Sequence, residues 1–175
     1  MKDLSGKIDR KKQYQEKILR KFCSVCPYKI DEDTIISPDP PRPDIYLKMQ
    51  NGQKLYFELV ESIDESIAEQ TGASSKSRRK NKDLNVIHSA VAFEERLLFK
   101  KSMQKFERSY QIDAPMELLV YFNQQAPPLD DGVLLQYKYF VKKNINNTKF
   151  RRIWVYDVFK NKILFNFPEI NDCLV

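Results

Sequence analysis

The chain's sequence predicts an α/β fold built around an antiparallel hairpin. Three observations carry that prediction. Asn51-Gly52 separates two runs of strand-forming residues, which is a strong hairpin signal. Residues 86 to 110 keep helical spacing, with Val86, Ala90, Phe93 and Leu97 continued by Met103, Phe106 and Tyr110. Three further apolar runs, Leu118–Phe122, Ile153–Val158 and Ile163–Phe167, have the length and residue types of strands.

In chain order, residues 5 to 22 read as a helix. Ile8, Tyr14 or Gln15, Ile18, Leu19 and Phe22 share one side and the remainder is charged. A short strand is expected around Thr34 to Ile36. The segment Ser37 to Pro43 is proline-rich and predicts a stiff, extended approach to the hairpin. The hairpin strands are 44 to 50 and 53 to 60. Residues 69 to 84 read as a mobile basic loop that leads into the long helix. Gln125 to Asp131 reads as a turn with Asp130 as helix N-cap, and 133 to 145 as a helix with Leu134, Tyr137, Val141 and Ile145 on one stripe. The last two strands meet at a tight turn near Lys160-Asn161.

The hairpin register decides where two acids sit. A two-residue turn would place Asp44 opposite Leu59. A three-residue loop with Gly52 left-handed would place Asp44 opposite Glu58. Only the second collects Ile45, Leu47, Met49, Leu55, Phe57 and Leu59 on a wholly apolar face. A slip of one residue would mix the faces and is costly when one is buried. Asp44 and Glu58 are therefore expected across from one another, opening to solvent. Facing carboxylates share a proton, pair with a base or bind a cation. Mg²⁺ suits such a pair, because it takes one or two carboxylates and keeps several waters. Two solvated acids at a wet strand end are the alternative.

Pro43-Asp44 on one hairpin strand and Glu58 on the next resemble the PD-(D/E)XK nuclease superfamily, as does the order of elements from about 5 to 123. That resemblance implies a nuclease-like mixed sheet with a central hairpin flanked by helices, extended by residues 124–175. It implies a divalent metal, Mg²⁺ or Mn²⁺, on Asp44 and Glu58. The motif lysine is absent, since Val60 stands at its place. Some branches supply it from a following helix or loop, which here points to Lys82 or Lys80. Glu58-Leu-Val-Glu-Ser62 and Trp154-Val-Tyr-Asp157 also resemble the Uma2-like branch. The implied activity is metal-dependent phosphodiester cleavage of DNA or RNA. The alternative is a non-catalytic module on a degenerate nuclease fold, binding nucleic acid or protein.

Composition bounds the remaining classes. A length of 175 residues with 42% apolar content predicts one domain with a proper core. There is no apolar run long enough for a transmembrane helix. Met1 to Lys21 lacks the apolar middle of a signal peptide, so the expected compartment is cytoplasmic. The net charge of +6 permits phosphate binding. Basic residues gather at Lys7–Lys21, at Lys76–Lys82, and at Lys142, Lys143, Lys149, Arg151 and Arg152. Cys23-Ser-Val-Cys26 follows a helical run, which argues for two reduced thiols at a helix end. A structural zinc would need His88 and Cys173, far away in sequence. His88 is the only histidine and has no evident acidic partner. The four glycines are scattered, which argues against a phosphate-cradling loop. Trp154 and Tyr156 are expected in the core, and Glu16 is expected to pair with Arg20 at i+4.

Overall fold

A computed structural model describes residues 4–62, 97–122 and 131–170. Within them, six strands form one mixed sheet in the order β1-β2-β3-β4-β5-β6. The elements are α1 (Leu4–Cys23), β1 (Ile30–Ile36), β2 (Ile45–Met49), β3 (Lys54–Ser62), α2 (Leu97–Glu107), β4 (Met116–Phe122), α3 (Asp131–Asn144), β5 (Phe150–Asp157) and β6 (Lys162–Phe167). The β1/β2, β2/β3 and β5/β6 pairs are antiparallel, while β3/β4 and β4/β5 are parallel. A parallel pair needs a long crossover. The chain between β3 and β4 contains α2, and that between β4 and β5 contains α3.

The sheet is buried from both sides. Ile18, Leu19 and Phe22 of α1 pack with Ile45, Leu47, Leu55, Phe57 and Leu59 on one face. Leu98, Phe99 and Phe106 of α2, with Tyr137 and Val141 of α3, pack with Val60, Leu118 and Val120 on the other. Each fully buried large apolar side chain contributes roughly 1.5–3 kcal/mol relative to exposure. β3 and β4 lie at the centre and are buried almost throughout, as strands covered on both faces are.

The hairpin adopts the three-residue loop. Gly52 is left-handed at φ 83°, and its N–H donates to the Met49 carbonyl at 2.8 Å. The ladder pairs Ile45 with Phe57 and Leu47 with Leu55, which continues to Asp44 opposite Glu58. β1 is longer than expected. Its Asp31, Glu32 and Asp33 are exposed on the sheet's edge, where charges discourage pairing with other chains. The proline-rich approach is not extended throughout, because the Arg42 N–H turns back to the Asp39 carbonyl at 3.3 Å.

Trp154 and Tyr156 are fully buried, as expected. Arg20 turns to Glu32 on β1, donating to its carbonyl at 2.9 Å, rather than to Glu16. Cys23 and Cys26 are free thiols at the end of α1, and the Cys26 N–H closes the last turn on the Phe22 carbonyl at 3.0 Å. The long helix is described from Leu97 and ends at Glu107, short of Tyr110. Its expected first part, the basic loop, Asp130, His88 and Cys173 lie outside the described residues. Among the described residues no helix is long and apolar enough to cross a membrane.

Candidate active site

Asp44 sits just before β2, beyond the last main-chain pair of the hairpin. There the carboxylates take over from the backbone ladder. The Asp44 N–H donates to Glu58 Oε2 at 3.0 Å, and the Leu59 N–H donates to Asp44 Oδ2 at 2.9 Å. This exchange fixes both acids on one side of the sheet, the side covered by α2.

The pair does not open freely to solvent, contrary to expectation. Glu58 is fully buried and the Asp44 side chain is only 17% exposed. The difference follows from the crossover. Returning to start β4 beside β3, the chain lays α2 over this end of β3. Val60, two residues after Glu58, is consumed by that packing and is buried among Leu98, Phe99 and Val120.

The compensating charge comes from α2. Lys105 donates to Glu58 Oε1 and lies 3.4 Å from Asp44 Oδ2, so one ammonium meets both carboxylates. Arg108, just past the helix end, stands 3.6 Å from Glu58 Oε1 and lies over the Tyr110 ring. Tyr110 is buried, and its hydroxyl donates to the Lys105 carbonyl at 3.3 Å. One turn earlier, Lys101 donates to the Glu61 carbonyl at 3.0 Å. Lys101, Lys105 and Arg108 thus form a basic stripe at helical spacing, aimed along β3.

Electrostatics follow from this geometry. Burial, and then the Asp44 charge beside it, push the Glu58 carboxyl above the ordinary glutamate range. Lys105 acts in the opposite direction. Burial, and then the Glu58 charge, push the Tyr110 hydroxyl up, so it stays neutral. Asp44 Oδ1 takes no hydrogen bond among the described residues.

Of the predicted site residues, the fold brings Asp44 and Glu58 together. Lys80 and Lys82 lie outside the described residues. Lys105 is the functional candidate that sequence reasoning missed. The available signal was the 101-105-108 spacing at the margin of the apolar stripe Leu98, Phe99, Ser102 and Phe106.

The donor set fits a hard divalent cation of the Mg²⁺ type. It offers two carboxylates, with one oxygen of Asp44 that takes no hydrogen bond among the described residues, and such an ion keeps several waters. It does not fit an ion needing three or four side chains. Among the described residues no three His, Cys, Asp or Glu are grouped to hold a metal.

A second buried acid, Glu117 on β4, faces the opposite side of the sheet. It accepts from Tyr28 Oη at 2.7 Å, Arg151 Nε at 2.6 Å and Trp154 Nε1 at 2.6 Å. Arg152 bonds the same Tyr28 hydroxyl. This cluster is saturated and ties β4 and β5 to the segment after α1. Asp157 caps the β5–β6 turn, accepting from the Phe159 and Lys160 N–H groups at 3.0 and 2.9 Å. The Trp154 and Asp157 pattern is thus used structurally.

No protein family, curated protein or solved structure matches this chain.

Proposed function

We propose that the chain is a metal-dependent phosphodiesterase acting on DNA or RNA, of the PD-(D/E)XK type, with Lys105 in the role of the absent motif lysine. The observation that supports this is the convergence of one lysine ammonium on the Asp44–Glu58 pair. Asp44 and Glu58 would hold Mg²⁺ or Mn²⁺, which when bound would polarise the phosphoryl group and supply hydroxide near neutral pH. The chain's own residues do the rest. Lys105 holds a fixed positive charge beside the reacting phosphate, where negative charge grows in the transition state. Arg108 adds a second cation on the same side. Tyr110 stays neutral and steadies the Lys105 backbone. Leu98, Phe99 and Val60 support the helix that positions the ammonium.

The test is cleavage of single-stranded DNA, duplex DNA and RNA with Mg²⁺, Mn²⁺ or EDTA. Wild type should cleave at least one substrate only with a divalent ion. Asp44→Asn and Glu58→Gln should each abolish cleavage. Affinity should fall with salt, roughly 0.7–0.9 log units per log unit of salt for each phosphate neutralised. Cleavage surviving both substitutions would place the chemistry elsewhere.

A second reading is favoured by one specific observation. Lys105 and Arg108 together set two cations against the two carboxylates, and backbone N–H groups satisfy an oxygen of each acid. The charge of the pair is therefore offset by the chain's own groups, which suits a non-catalytic nucleic-acid- or protein-binding module on a degenerate nuclease fold. Binding without cleavage across several divalent ions would select it.

A further inference from the structure

A recess adjoins the carboxylate pair on the same face of the hairpin. Tyr46 and Tyr56 are cross-strand partners, each two residues along its strand from Asp44 or Glu58. Two strand residues span about 6.7 Å, about the reach of one nucleotide unit. The recess has a volume of about 260 Å³ and is lined by Pro38, Arg42, Tyr46, Lys54, Tyr56 and Asp113. The two tyrosine rings lie 5.3 Å apart, with Tyr46 half-buried above the buried Tyr56.

The polar groups of this recess are unequally committed. Asp113 accepts from Lys54 Nζ at 2.8 Å and from Tyr56 Oη at 2.9 Å, which locks three of them together. Arg42 is exposed, and among the described residues no carboxylate lies within ion-pair distance of its guanidinium. The recess therefore offers an aromatic wall and a cation, Arg42, without an ion pair among the described residues, next to a site suited to a phosphodiester. An aromatic face with a nearby cation is how proteins hold unpaired nucleotides, since every base has a stacking face. A base inside a duplex is stacked on its neighbours and cannot enter such a recess.

We propose that this recess takes the unpaired nucleotide next to the phosphodiester at Asp44, Glu58 and Lys105, with its base on Tyr46 and its phosphate on Arg42. This rests on the phosphodiesterase reading above. It makes the substrate a single strand, or a duplex with an unpaired end.

The test compares two fluorescent eight-unit probes by anisotropy, in EDTA so that no cleavage occurs. One is oligothymidylate, and the other is an abasic chain with the same phosphates and no bases. Wild type should bind oligothymidylate about tenfold or more tightly than the abasic chain. Tyr46→Ala should remove most of that preference, and Tyr46→Phe, which keeps the ring, should retain it. Arg42→Ala should weaken both probes alike and lower the salt slope by about 0.7. Equal affinity of wild type for the two probes would overturn the recess and leave the cleavage reading to its own Asp44→Asn test. Binding to neither probe would overturn the nucleotide recess and count against a nucleic-acid partner as well.

Discussion

Lys105, at the end of α2, donates to Glu58 Oε1 across 47 residues of chain, and the same ammonium lies 3.4 Å from Asp44 Oδ2. This contact offsets part of the charge of a carboxylate pair placed on the α2-covered face of the sheet.

Removing that ammonium should therefore cost stability. Breaking a buried ion pair from one side costs about 3–5 kcal/mol. Lys105 is 21% exposed and Arg108 stands by, so Lys105→Met should lose less, about 1–3 kcal/mol. A divalent ion that shares the pair should then recover more melting temperature in the variant than in wild type, because it no longer competes with the ammonium. Thermal melts with and without Mg²⁺ check both points. An equal metal-induced shift in the two proteins would separate the metal from this pair.

Glu58 gives a pH signature. Its folded carboxyl titrates above the ordinary value of 4.5, from burial first and the Asp44 charge second. For a raised pKa, the stabilising contribution is fully present below the unfolded value and is lost as pH rises through the folded one. Ionised Glu58 therefore weakens the fold toward neutral pH. Glu58→Gln should be as stable as wild type or more so at pH 7, with the advantage shrinking as pH falls toward 4.5. Denaturant melts at several pH values check this. A variant that is less stable at pH 7, with a gap that widens as pH rises, would contradict it.

Glu117 behaves oppositely. It is fully buried and accepts hydrogen bonds from Tyr28, Arg151 and Trp154. Glu117→Ala strands these donors, so it should cost about 3 kcal/mol or more of stability. At a temperature where the variant is folded, its cleavage rate should match wild type, since Glu117 faces the other side of the sheet. Urea melts beside a cleavage assay check both halves.

The hairpin was legible because its pattern admits one low-cost register. Ile45, Leu47, Leu55, Phe57 and Leu59 segregate only when Asp44 meets Glu58, and Gly52 supplies the left-handed turn. The helical stripes of α1 and α3 were legible for the same reason. The extent of β1 was not, because Asp31, Glu32 and Asp33 resist a strand assignment that the sheet edge tolerates. The burial of Glu58 was hidden too, since local pattern does not reveal which helix a crossover lays over a strand. Lys105 was missed for that reason. It is remote from Glu58 in sequence and adjacent only through the β3–α2–β4 connection. Glu117 gave no signal, because its partners come from positions 28, 151 and 154.

The most direct test of the central claim is single-turnover cleavage by Lys105→Ala beside wild type, with Mg²⁺ and a substrate that wild type cuts. A fixed charge used mainly in the transition state should lower the cleavage rate far more than the affinity. The expected result is a loss of about 100-fold or more in rate, the size of removing one preorganised donor, with Kd changed by only a few-fold. A Lys105→Ala variant that cleaves at the wild-type rate would contradict the account.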